Sequence, residues 1–246
     1  MKRLIAFASL LFSLSAFAND GYLVRFGGPI PEHFREKIAA SGGVIEMLHE
    51  GAGLALISGL TDAEAADLGK WQGVGAVFAN DKVLVRLGTS TLSEQSEVEA
   101  TDASTPETAP YYPWQWNLRA IGADRAWAAG KLGSPDVTVA VIDTGISYEH
   151  ADLAGLVDLD RSVSFVPSDN VLIDTYFPGM HPVTDLYYHG THVAATISSN
   201  AVVAAGVTSK TTLIGVKVLS ASGEGTYAGV LQGVLWAADH GADVAN

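Results

Sequence analysis

Residues 137–142 read Val-Thr-Val-Ala-Val-Ile, six residues in which only one threonine interrupts the apolar character. A strand with one face in water alternates apolar and polar side chains. A continuous, largely β-branched run belongs to a strand covered on both faces. A second such run spans 213–219, and 242–245 begins another. Helical patterns lie at 123–129, at 191–198, where small residues dominate, and at 226–240. In the last of these Val230, Leu231, Val234 and Leu235 share a face, and Gly241 stands where a terminating glycine belongs. Strands alternating with helices predict an α/β fold, a parallel sheet with helices on its faces.

The first third of the chain has a different rhythm. Residues 22–26 alternate like a strand. Pro31 suits the opening of a helix that places Phe34 and Ile38 on one face and closes at Gly42-Gly43. Strands follow at 44–48 and 54–57 around Gly51-Ala52-Gly53, and Thr61 with Glu64 spells a capping box for a second helix. Residues 74–78 and 83–87 supply a last strand or hairpin. The order is β-α-β-β-α-β, a small α+β unit of ferredoxin-like arrangement. Ahead of it, Lys2 and Arg3, the apolar stretch 4–17 and Ala16-Phe17-Ala18 have the form of a signal peptide, shorter than the roughly 20 residues a membrane span needs. Residues 88–110 are rich in Ser, Thr and Glu and predict an exposed, protease-sensitive linker. The expected organisation is a signal peptide at 1–18, the α+β block at 19–87, a linker at 88–110 and the α/β portion at 111–246. A signal peptide directs the chain out of the cytoplasm, to the periplasm or the medium.

The formal charge of −13 excludes nucleic acid and anionic membrane surfaces as partners, since both require a basic face. The chain has no cysteine, so disulfides, thiol catalysis and thiolate metal sites are excluded as well.

Two short motifs carry the chemistry. Asp143-Thr144-Gly145 follows the buried run at its C-terminal end, where open α/β sheets gather functional groups. His189-Gly190-Thr191-His192-Val193-Ala194 opens a helix. Taken singly, Asp143 reads equally well as a polar strand terminator, and Asp-Thr-Gly also suggests an aspartic protease. That chemistry needs two facing carboxylates, and no second motif of the kind occurs. His189 and His192 have the wrong spacing for the His-Glu-x-x-His metal helix, so no metal site is expected there.

Together the motifs resemble the subtilisin-like serine proteases, the subtilases. The likeness extends over 111–246, through the lead-in at 116–127, His150-Ala151-Asp152-Leu153, Gly206-Val207, Gly215-Val216-Lys217-Val218-Leu219, Gly223-Glu224-Gly225, Leu235-Trp236-Ala237-Ala238 and the strand start at 242–246. The resemblance implies the N-terminal part of a subtilisin-like parallel-sheet domain. It makes His189 the general base, Asp143 its carboxylate partner and His192 a packing residue. It makes Gly223, Glu224 and Gly225 the segment that pairs with an extended polypeptide substrate through its backbone. The 19–87 block resembles the family's inhibitory propeptide, an intramolecular partner. The family's Gly-Thr-Ser nucleophile and oxyanion asparagine do not follow His189 within these residues, and Gly88-Thr89-Ser90 precedes Asp143, outside that order. The residues as given are therefore expected not to hydrolyse peptides. The family also uses Ca²⁺, held by an aspartate matching Asp152 and a loop after the histidine helix. Here that loop, at 200–205, is short and carries no carboxylate, so no cofactor is expected. A non-enzyme alternative is a secreted inhibitor or folding helper acting through the 19–87 block.

Overall fold

A computed structural model describes residues 20–85 and 105–246, which divide between Asp81 and Lys82 into two compact units. The proposed signal peptide and Gly88-Thr89-Ser90 lie outside the described residues. No helix among the described residues is long and apolar enough to cross a membrane.

The first unit runs β1 (Tyr22–Phe26), α1 (Phe34–Ala40), β2 (Val44–His49), β3 (Leu54–Ser58), α2 (Asp62–Leu68) and β4 (Val74–Ala79). Its sheet order is β2-β3-β1-β4 with antiparallel neighbours, the topology expected of the β-α-β-β-α-β order. The core is Val24, Phe26, Phe34, Ile38, Ala55, Ile57 and Leu68. The capping box forms: Thr61 Oγ1 accepts from Glu64 N, and Glu64 Oε2 accepts from Thr61 N at 2.8 Å. Helix α1 begins three residues after Pro31, because 31–34 closes a turn, with Phe34 N donating to Pro31 O, before the helix starts.

The strand expected at 83–87 does not complete this sheet. Residues 82–84 form β5 (Lys82–Leu84) and belong to the second unit, where they pair antiparallel with β9 (Glu224–Thr226). The linker expected at 88–110 also ends early. Pro106 and Ala109 are buried, and Ala109 packs with Leu118, Ala123, Trp127, Ala201 and Ala205.

The second unit continues with α3 (Trp116–Ala120), α4 (Ala123–Ala128), β6 (Thr138–Asp143), β7 (Val163–Ser164), α5 (Pro167–Tyr176), α6 (His189–Ile197), β8 (Thr212–Lys217), then β9, α7 (Tyr227–Asp239) and β10 (Val244–Ala245). The sheet order is β10-β6-β8-β7, and every pairing is parallel. The continuous apolar character of β6 is explained by its two faces. Val139 and Val141 pack on one side with Ile146, Leu153, Ala194 of α6 and Leu213. Ala140 packs on the other with Ile214, Val216, Val218, Leu219 and Ala237 of α7. Each fully buried Val, Ile or Leu contributes roughly 1.5–3 kcal/mol, so the two layers make this strand pair the stable floor on which the site stands.

Candidate active site

The parallel register sets Asp143 opposite Lys217 at the C-terminal ends of β6 and β8. Helix α6 starts at His189 beside that edge. His189 Nδ1 lies 2.7 Å from Asp143 Oδ1 and 2.9 Å from Oδ2. Asp143 is buried, and Thr144 N donates to its Oδ1 at 2.7 Å. The histidine side chain keeps 28% of its surface in solvent. One ring nitrogen is therefore held by a buried carboxylate while the ring retains access to water.

Glycine makes this closeness feasible. A Cβ on Gly190 would stand 2.2 Å from Gly145 O and 3.1 Å from the Asp143 Cβ, so a larger residue would push the helix off the strand end. Gly190 N instead donates to Thr144 Oγ1 at 2.9 Å. His192, expected to pack, is exposed. It lines a cleft of about 560 Å³ that also includes His150, Tyr187 and Tyr188. Position 192 faces outward because the inward face of α6 is taken by Gly190 and Ala194.

Residues Gly223, Glu224 and Gly225 lie along the edge where β5 docks. The register pairs Val83 with Gly225 and Leu84 with Glu224, and Val85 N donates to Gly223 O at 3.0 Å. Val83 and Val85 pack against the Val218–Leu219 side of the core, while Lys82 and Leu84 face solvent. A Cβ on Gly225 would meet Val218 O at 2.6 Å, so glycine lets this edge lie flat on the sheet. The edge binds an extended chain by main-chain hydrogen bonds with alternate side chains turned inward, the geometry of β-augmentation.

Several site residues were given no role by the sequence. Lys217 is fully buried, and its Nζ donates to Thr144 O at 2.8 Å and Thr184 O at 3.0 Å. It also lies 2.9 Å from Asp169 Oδ2, in an alignment too poor for a hydrogen bond, so that contact is a Coulombic pair. His181 Nδ1 accepts from Val183 N at 3.1 Å, which requires the neutral ring, and burial lowers its pKa below the ordinary 6.5.

The residues implied for Ca²⁺ are otherwise engaged. Asp152 is buried, with Oδ1 accepting from Val203 N at 2.9 Å and Oδ2 from Ala204 N at 3.1 Å. Gln115 grips Ala205 at both ends of its amide, at 2.7 and 2.8 Å. A cation needs several oxygens free to turn inward, whereas here amide N–H groups converge on the carboxylate. These residues do not fit a calcium ion. Among the described residues no group of three or more His, Asp or Glu is arranged to hold a metal.

Comparison with known proteins agrees with this geometry. Residues 134–246 match the model of the subtilase family. The M-protease of Shouchella clausii (strain KSM-K16) is 31% identical over 98% of this chain and 57% of its own length. The thermophilic serine proteinase of Bacillus sp. (strain AK1) is 37% identical over 58% of this chain and 33% of its own length. The chain thus spans between a third and somewhat over half of these curated relatives. Among solved structures, fervidolysin from Fervidobacterium pennivorans, a keratinolytic enzyme related to subtilisin, matches 93% of this chain and 35% of its own with a TM-score of 0.63 at 22% identity. The epidermin leader peptide processing serine protease of Staphylococcus aureus matches 92% of this chain and 49% of its own, also at 0.63, with 21% identity. These two likenesses establish the fold. With the strand-end aspartate, the helix-start histidine and the parallel sheet in place, the matched segment, residues 134–246, belongs to the subtilase family of subtilisin-like serine proteases.

Proposed function

We propose that this chain is the base-bearing portion of a secreted serine endopeptidase precursor. The observation that carries the reading is the contact of His189 Nδ1 with both oxygens of buried Asp143, at 2.7 and 2.9 Å. A hydroxyl is a poor nucleophile at neutral pH until a base takes its proton. With Nδ1–H donating to Asp143, the lone pair lies on Nε2, the nitrogen left to accept that proton. The carboxylate then stabilises the imidazolium that forms. The reaction also needs a hydroxyl nucleophile and donors to the oxyanion. The family resemblance assigns these to a Gly-Thr-Ser serine and an asparagine that follow the histidine, so residues 1–246 alone are expected to give no detectable turnover.

The substrate proposed is an extended polypeptide laid antiparallel on Gly223, Glu224 and Gly225. Residues 82–85 already lie on that edge. We take them as a substrate-like occupant and the 19–87 block as an intramolecular inhibitory propeptide. A stand-alone inhibitor would leave the Asp143–His189 pair without a role.

The test is hydrolysis of denatured casein, with labelling by a fluorophosphonate, on the gene's full secreted product. Both should be present in the parent and lost in His189→Ala. Hydrolysis undiminished by His189→Ala would overturn the reading.

A further inference from the structure

Asp185 lies four residues before His189 and is buried, yet no function described so far uses it. Its carboxylate accepts five hydrogen bonds. At Oδ1 they come from Thr144 Oγ1 (2.9 Å), Tyr187 N (2.8 Å) and Tyr188 N (2.9 Å). At Oδ2 they come from Thr191 N (2.9 Å) and Thr191 Oγ1 (2.6 Å). The donors fall into two groups. Thr144 is covalently next to Asp143, whereas Tyr187, Tyr188 and Thr191 surround His189.

We propose that Asp185 is a positioning residue that fixes His189 against Asp143 by tying the end of β6 to the first turn of α6. The proposal rests on the reading of that pair as the general base and its orienting carboxylate.

Three features point to positioning beyond simple capping. Each threonine hydroxyl donates to Asp185 while accepting a backbone N–H from the opposite segment: Gly190 N to Thr144 Oγ1 at 2.9 Å, and Ser147 N to Thr191 Oγ1 at 3.0 Å. The carboxylate is therefore the hub of two relays that cross between strand end and helix. Next, Tyr188, the residue immediately before His189, has φ 82°, a left-handed conformation that a bulky side chain adopts only under restraint. Its N–H is held by Asp185. Finally, each oxygen of Asp185 accepts from at least one backbone N–H, and a backbone N–H cannot turn round to accept. An asparagine, whichever way its amide is flipped, would point an NH₂ at one of them.

The test uses the gene's full product with its histidines labelled with ¹⁵N in the ring, His189→Ala supplying the assignment. In the parent, His189 ring shifts should report a fixed Nδ1–H tautomer. In Asp185→Asn, with circular dichroism showing retained secondary structure, they should move to the average of a mixed tautomer. If Asp185→Asn does not fold, Thr144→Val carries the test, because it cuts one relay and leaves the carboxylate. Thr144→Val should shift the same signal and Thr144→Ser should restore it. A folded Asp185→Asn or Thr144→Val variant with parental His189 shifts would overturn the proposal and leave the pair intact. A parent whose His189 is already a tautomer mixture would overturn the pair itself, and the proposal with it.

Discussion

Replacing Lys217 by methionine tests how the floor of the site is held. Lys217 has no exposed surface and Asp169 keeps 2%. Methionine preserves most of the stem but removes the charge, so Asp169 is left as a buried carboxylate without its counter-ion. Breaking one side of such a pair costs about 3–5 kcal/mol. The carbonyls of Thr144 and Thr184 also lose their donor, each now short of a bond made at 2.8 and 3.0 Å. The pair alone, near 4 kcal/mol, is a large share of the roughly 5–15 kcal/mol that holds a domain together. For a unit of this size it corresponds to a fall in Tm of about 8–16 °C. Asp169→Asn should cost less, because the ammonium keeps its two carbonyl partners. The double variant should be more stable than the sum of the single losses by about 2 kcal/mol, a coupling expected of residues in contact. Urea unfolding followed by tryptophan emission gives the energies, and hydrogen exchange of β6 and β8 amides assigns the transition to the second unit. A loss below about 1 kcal/mol for Lys217→Met, or strict additivity in the cycle, would mean that water or rearrangement relieves the buried charge.

On the proposed function, His189→Ala in the gene's full product should lower kcat by about 10⁶ and Asp143→Ala by about 10⁴, the magnitudes for these roles in subtilisin; initial rates on a chromogenic peptide check both. Excess EDTA should leave hydrogen-exchange protection of the 203–205 amides unchanged, because Asp152 and Gln115 hold that loop; Asp152→Ala should lower stability by roughly 2–4 kcal/mol, two part-buried N–H groups losing their acceptor. His181 is a base with a depressed folded pKa, so the unfolded chain binds its proton first and stability falls as pH drops from about 6.5 toward the folded value. Melting temperatures taken from pH 7 to pH 5 should therefore show a shallower slope in His181→Asn. Val85→Pro removes the N–H that reaches Gly223 O and should reduce exchange protection at residues 224–226 about fivefold, near 1 kcal/mol.

The sheet was legible because burial on both faces leaves a direct trace. No solvated strand would carry Val139, Ala140, Val141 and Ile142 in succession, and the same logic located β8. Helix α7 was legible through Gly241, whose φ of 74° meets the requirement for a terminating residue, but not through the face assigned to it: Val234 is 48% exposed, and the side turned to the sheet is made of Ala228, Gly233 and Ala237. Helix α5 left no such trace. It exposes Val171, Leu172 and Tyr176 while burying Asp169, which inverts the usual pattern because the helix carries the counter-ion of Lys217. The strand at 82–84 was visible as a strand, but its partner was not. Alternation reports which face of a strand is apolar and says nothing of which edge it joins. Only the structure shows that glycines 223 and 225 leave an edge open to it.

The site divides along the same line. Asp143 and His189 stand at element boundaries, where motifs concentrate, and the family resemblance those two motifs carry is what paired them. Asp185, Thr144 and Lys217 act through contacts that span 33 to 73 positions, or through the local fold of 185–191; Thr144 and Lys217 fall inside motifs, but residue type alone does not show what they touch. Asp152 shows how such contacts decide function. The family resemblance alone would make it a metal ligand, and its surroundings do not fit one. The carboxylate accepts the amides of Val203 and Ala204 because the loop turns its N–H groups inward. A cation in the same place would require the carbonyls to face in, with the loop everted and its bonds to Gln115 and Ser199 broken. The same carboxylate thus serves either a cation or a tight loop, and the backbone direction of six residues after α6 makes the choice.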